Sequence, residues 1–265
     1  MAVALAPTRL VFESMGTVVT VVSTVPIGTS TADAVKDAFC DLDERFSLYR
    51  HDSEASAIGR DRSLVRSASE PYRDMYWDAV AWLAATGGAF TPHRPDGVVD
   101  LSGVVKARAI EAAGDILVAH GHLDWTLNAG GDVLVSGVQA SGEPWTVGIV
   151  DPDDRGRLWT QIATHPGRMA VATSGVQERG EHVWRMASET TFTQVTVAAP
   201  DIETADVLAT AILGGGITTL QLVQKAYDID VLAQATDGTV WASPVFTARS
   251  AVSPGPTGAW STSPC

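Results

Sequence analysis

The chain has 265 residues, 45% of them hydrophobic and 18% charged, with 18 Lys and Arg against 31 Asp and Glu for a formal net charge of −13. That length supports a large core, and the composition is that of a soluble globular protein. The acidic balance excludes nucleic-acid recognition by clustered basic side chains, so an anionic ligand would need a metal ion or helix N-termini to hold it.

The first stretch, MAVALAPTRLVFESMG, has no basic start, no long apolar run and no lipid-attachment cysteine. No other segment reads as membrane-spanning, and the expected location is cytoplasmic. Cys40 falls in an amphipathic stretch and Cys265 ends a Ser/Pro-rich tail. A structural disulfide is therefore not expected.

TVVTVVSTV predicts a first strand at Thr17–Val25 from its β-branched content. TADAVKDAFCDLDERFSLY predicts a helix with Val35, Phe39, Leu42 and Phe46 on its apolar face and Ser30 or Thr31 as N-cap. In FSLYRHDSEAS, Asp52 and Ser53 can cap a short helix beginning near Glu54. EPYRDMYWDAVAWLAATGGAF predicts a second helix stopped by Gly87-Gly88, and TPHRPDG a loop. The spacing of Val104, Ala107 or Arg108, Ala112 and Ile116 predicts a third helix from near Ser102.

From Trp125 the pattern shortens. WTLNAGGDVLVSG, PWTVGIVDP, LWTQIAT, RMAVATSG and FTQVTVAAP predict a sheet of adjacent strands. TADVLATAIL then predicts a helix ending before Gly214, followed by TTLQLVQKAY. Two last strands, DVLAQAT and TVWASPVF, are joined by an Asp237-Gly238 turn. The fold class is α+β, a single mixed-sheet domain with flanking helices over residues 1–246, and the tail 247–265 is expected to be disordered.

Besides FSLYRHDSEAS, chemistry can reside at four places. Asp100, Gly103 and Lys106 at a helix start can hold a phosphate, although a plain turn with a surface Lys is the alternative. Asn128, Gly130, Gly131 and Asp132 allow close ligand approach or form an ordinary hairpin. Thr173, Ser174, Arg179 and His182 combine hydroxyls, a cation and a base. Asp206 and Thr210, four apart on one helix face, supply two hard oxygens for Mg²⁺, or Thr210 simply bonds back to the helix.

Taken in order, seven blocks carry a resemblance: MGT at Met15–Thr17, FSLYRHDSE at Phe46–Glu54, TGGAFTP at Thr86–Pro92, VDLSGVVKARAIE at Val99–Glu111, NAGGD at Asn128–Asp132, ATSGVQERGEHV at Ala172–Val183, and VTVAAP…ADVLATA from Val195 to Ala211. This set resembles the ApbE family of Mg²⁺-dependent FAD:protein FMN transferases. The resemblance implies an ApbE-like fold in which the blocks meet at an FAD site. It implies Mg²⁺ ligation by Asp206, Thr210 and the carbonyl of Val105. Lys106 and the backbone at Gly103 would approach the FAD diphosphate. Met15, Tyr49, Asn128, Gly130 and Gly131 would lie along the rest of FAD, with Asp100 and Ser174 counted among its contacts. His182 would take the proton of a Ser or Thr hydroxyl on an acceptor flavoprotein, and Lys106 would share in catalysis.

Two blocks depart from the family. VWRMASE stands where IxDPxTG is usual, so Arg185 and Met186 replace the acid and the proline; Ala107 and Arg108 stand for Gly and an aromatic. The sequence thus supports three activities: an FMN transferase, an FAD-binding carrier without transfer activity, and an FAD pyrophosphatase releasing FMN and AMP.

Overall fold

The computed structural model describes residues 8–176, 191–243 and 260–261. They fall into two compact units, Met1–Ala85 with Thr91–Gly130 and Leu134–Glu143, and Thr86–Phe90 with Gly131–Val133 and Pro144–Cys265.

The first unit opens on an antiparallel hairpin, β1 (Thr8–Ser14) and β2 (Thr17–Ser23), in register Ser14↔Thr17. Its two-residue turn is Met15-Gly16, with φ of 51° and 70°, the left-handed geometry such hairpins need. β1 thus precedes the expected first strand, with side chains that alternate in exposure along TRLVFES.

Next comes α1 (Thr29–Phe46), which buries Val35, Phe39 and Phe46. It starts after Gly28 without a side-chain cap, rather than at Ser30 or Thr31. Thr31 is buried and its hydroxyl lies 2.9 Å from His120 Nδ1, so it is engaged elsewhere. α2 (Glu54–Arg60) is capped by Ser53, whose hydroxyl accepts from the Ser56 N–H at 2.9 Å. A 3-10 turn (Arg62–Ser67) leads to α3 (Glu70–Ala85), and α4 (Ser102–Ala119) packs on α1 and α3. β3 (Trp125–Ala129) runs antiparallel to β2, and α4 comes so close to β3 at Gly114 that a Cβ there would lie 2.8 Å from the Trp125 ring. β4 (Asp132–Ser136) comes after the Gly130-Gly131 turn, as the hairpin reading of NAGGD expected.

In the second unit, β5 (Thr146–Val150) and β6 (Leu158–Ala163) pair, among the described residues, only with each other. They were expected in a common run of strands. They bury mainly one face, through Val147, Ile149 and Ile162, and so form a separate ribbon. β7 (Ala170–Gly175), β8 (Phe192–Ala199), β9 (Asp230–Ala235) and β10 (Val240–Ala242) are successive antiparallel neighbours, and β10 takes Trp260–Ser261 as a short parallel strand, β11. The Asp237-Gly238 turn joins β9 to β10 as expected.

α5 (Ile202–Ala226) lies on β7 and β8. The expected stop before Gly214 is instead a break inside the helix at Gly216, at φ 65° and ψ −154°. Gly215 lies within the helix against the segment 86–90, where a Cβ would come 2.8 Å from that of Ala89, so this approach requires a glycine. Among the described residues α5 is, against expectation, long and apolar enough to cross a membrane, but 72% of its most apolar window is buried, as in a core helix.

Candidate functional site

The first turn of α5 is fixed by Asp201, which accepts from the Thr204 N–H at 2.8 Å and the Thr204 hydroxyl at 2.9 Å. One turn further on, Asp206 is wholly buried in an otherwise apolar stretch with Val207, Leu208, Ala211 and Ile212. A carboxylate in such surroundings carries a large desolvation cost and has to be offset by polar or cationic partners. Thr210 stands one turn above it on the same face. Across from the helix, β7 presents Ala170, Ala172 and Ser174 on one face, all fully buried. Two alanines let the helix approach closely. At the third position the Ser174 hydroxyl lies 3.1 Å from that of Thr210. Asp206, Thr210 and Ser174 thus form one oxygen-rich patch in the second unit.

A second set of oxygens lies on the other face of β7. Thr173 pairs in register with Thr196 of β8, hydroxyl to hydroxyl at 2.9 Å. The Thr173 N–H donates to Oδ1 of the fully buried Asp132 at 3.3 Å. For Asp132 the sequence leaves close ligand approach and a hairpin turn both open, and Thr196 is not among the expected site residues. The alignable threonines in VATSG and QVTVAAP were the available signal. Gly131, also in this unit, has φ of 98°.

In the first unit, Asp100 Oδ1 accepts from the Ser102 N–H at 3.0 Å, at the entry to α4. Gly103 lies in the first turn, Val105 is 4% exposed, and Lys106 is half-buried one residue on. Burial, with Glu54, Asp100 and Tyr76 nearby, pushes the Tyr72 phenol up to about 12. Ala107 is fully buried in α4, while Arg108 turns to α3 and pairs with Asp78 at 2.8 Å. Asn128 is exposed opposite Thr20 of β2, and Gly130 lies two residues on at φ 65°, where a Cβ would come 2.6 Å from Thr17 Oγ1. Met15 holds the β1–β2 turn and Tyr49 is 85% exposed. Arg179, His182, Arg185 and Met186 lie outside the described residues. Among the described residues no three His, Cys, Asp or Glu side chains gather as a metal cluster.

The chain is 28% identical over 162 residues to the FAD:protein FMN transferase of Vibrio cholerae, covering 57% of this chain and 48% of that protein. It is 30% identical over 179 residues to that of Rhodobacter capsulatus, covering 63% and 34%. The chain therefore matches about half or less of the length of these curated relatives. In fold it is similar to the flavin transferase ApbE of Vibrio cholerae, with a TM-score of 0.75 at 21% identity over 92% of this chain and 99% of that one. The ApbE protein of Thermotoga maritima gives 0.74 at 20%, with the same coverage. The sequence pattern of the ApbE family matches residues 92–233, more than half the chain and the stretch that carries α4, NAGGD, β7 and α5. The chain belongs to the ApbE family.

Proposed function

We propose that this chain is an FAD:protein FMN transferase that uses Mg²⁺. A Ser or Thr hydroxyl of an acceptor flavoprotein attacks the FMN-side phosphorus of FAD. The bond from that phosphorus to the bridging oxygen breaks, AMP leaves, and FMN stays on the acceptor through a phosphodiester. The observation that carries this reading is the buried oxygen patch of Asp206, Thr210 and Ser174 in a chain of this family.

That patch suits Mg²⁺. It offers oxygen donors only, with a single carboxylate among its three side chains, and Mg²⁺ commonly takes one or two carboxylates and completes its shell with water and substrate phosphates. Asp206 and Thr210 would hold it, and the Val105 carbonyl is the further ligand that the family resemblance implies. When bound, it supplies neutralisation of phosphoryl charge. The family resemblance gives the diphosphate to Lys106 and the backbone at Gly103, and a cation with helix-start N–H groups suits that charge. Met15, Tyr49, Asn128, Gly130 and Gly131 bind the remainder of FAD. His182 takes the hydroxyl proton as the attack begins. The chemistry asks mainly for positioning and charge stabilisation, which these residues can provide.

The test is to mix the protein with FAD, Mg²⁺ and a domain bearing a flavinylation motif. Mass spectrometry then tracks FMN on the acceptor while chromatography tracks AMP. Acceptor-bound FMN with matching AMP supports the proposal. Free FMN and AMP without acceptor would make the chain a pyrophosphatase. FAD bound but unchanged, with its own co-encoded acceptor present, would make it a carrier, the outcome that the VWRM departure favours.

A further inference from the structure

We infer that Ser174 is a positioning residue for Thr210, acting on the cation site through that hydroxyl rather than by touching the flavin. This rests on the metal reading above. Ser174 is fully buried on the β7 face that meets α5, and its Oγ lies 3.1 Å from Thr210 Oγ1. A threonine hydroxyl has one proton and two lone pairs. To give a lone pair to a cation, it must send the proton elsewhere. Ser174 is the acceptor that the geometry places within reach, in competition with the helix carbonyl one turn back that a helical threonine can also use. Donation to Ser174 Oγ directs the proton toward the strand and turns the lone pairs to the side of the helix that also carries the Asp206 carboxylate. The two alanines preceding Ser174 on that face, Ala170 and Ala172, hold strand and helix at the spacing this bond needs. A serine one register step away would face the Thr173–Thr196 side instead. Oxygens that orient metal ligands are worth about 10- to 100-fold in metal affinity.

The experiment titrates Mg²⁺ alone into the full chain and records the rise of the thermal unfolding midpoint, with Asp206→Asn as the control for ions bound elsewhere on an acidic surface. Ser174→Ala removes one buried oxygen, and its midpoint without Mg²⁺ checks that it folds. Mg²⁺ affinity in Ser174→Ala is expected to fall about 10-fold or more. The pair Ser174→Ala/Thr210→Ala should bind no more weakly than Thr210→Ala, because Ser174 acts only through Thr210. If the native chain responds to Mg²⁺ no more than Asp206→Asn, the metal reading itself fails. If the native chain responds and Ser174→Ala matches it, or the double variant is weaker than Thr210→Ala by the same factor, the positioning role is overturned and the metal reading stands.

Discussion

Arg168 decides whether β7 is anchored where the oxygen patch requires it. It lies two residues before β7, with its side chain only 8% exposed. Its Nε donates to Asp230 Oδ2 at 3.0 Å, Nη2 to Asp228 Oδ1 at 2.6 Å, and Nη1 to the Gly167 carbonyl at 2.7 Å. Asp230, at the start of β9, is 3% exposed and also accepts from the Ser243 hydroxyl at 3.0 Å, whereas the Asp228 side chain is 90% exposed. Replacing Arg168 by Met keeps the apolar stem but leaves the Asp230 carboxylate buried with its charge uncompensated. Breaking one side of a buried pair costs about 3–5 kcal/mol. Asp228, held below the ordinary carboxylate range by hydrogen bonding to Arg168, is open to water, so Asp228→Asn should leave stability nearly unchanged. Urea unfolding with a common slope measures each variant. Arg168→Met/Asp230→Asn should recover much of the loss, because the double variant buries no unpaired charge. A cost for Arg168→Met below about 1 kcal/mol, less than one ordinary buried hydrogen bond, would refute the anchoring role. So would an equal cost for Asp228→Asn.

Asp206→Asn should keep the fold and lower Mg²⁺-dependent AMP release by about 100-fold or more, the scale of several kcal/mol lost from charge stabilisation; unchanged Mg²⁺ dependence would remove it as a ligand. His182→Ala should still bind FAD, read by flavin fluorescence, while turnover falls by about 100-fold or more, and normal turnover would assign the base elsewhere. His122 is 4% exposed, with Nδ1 3.0 Å from Ser23 Oγ, and burial with His120 nearby holds its pKa below the ordinary value. The unfolded chain therefore takes up this proton first. The His122 contribution is complete above about pH 6.5 and is lost as pH falls through the lowered folded value, so urea midpoints measured between pH 7 and 5 should fall less in His122→Gln than in the native chain. Gly215→Val should cost about 1–3 kcal/mol in urea unfolding, since the added Cβ meets Ala89 and Thr219, and no change would mean the 86–90 segment yields freely.

Much of the fold was legible because its helices and strands have clear periods. α1, α3 and α4 carry stripes such as Val35–Phe39–Phe46, and β7 and β8 are short apolar runs between turns. β1 escaped because TRLVFES carries three consecutive apolar residues, Leu10, Val11 and Phe12, rather than an apolar–polar alternation, and pairing with β2 decides which of them face inward. The α5 boundary escaped for a different reason. Three adjacent glycines end a helix by local propensity, but here only Gly216 leaves helical geometry, and Gly215 is set by the close approach of Ala89, which leaves no room for a Cβ. The N-cap of α1 likewise went to Gly28 because Thr31 was needed by His120.

The site was legible along the helix and less so across the sheet. A spacing of four places Asp206 and Thr210 together from sequence alone, because helix geometry fixes that contact. Nothing in ATSG by itself says which of its two hydroxyls will meet the helix. Strand alternation sends Thr173 and Ser174 to opposite faces, and only the register Ser174↔Val195, with the alanines at 170 and 172 facing α5, decides that Ser174 meets Thr210 while Thr173 meets Thr196. A one-residue slip of β7 would therefore exchange these two hydroxyls and turn a buried serine away from the helix. The requirement for small residues along this face and the requirement for a hydroxyl opposite Thr210 are the same constraint on β7, since a larger side chain at 170 or 172 would lift α5 away from the Ser174 oxygen.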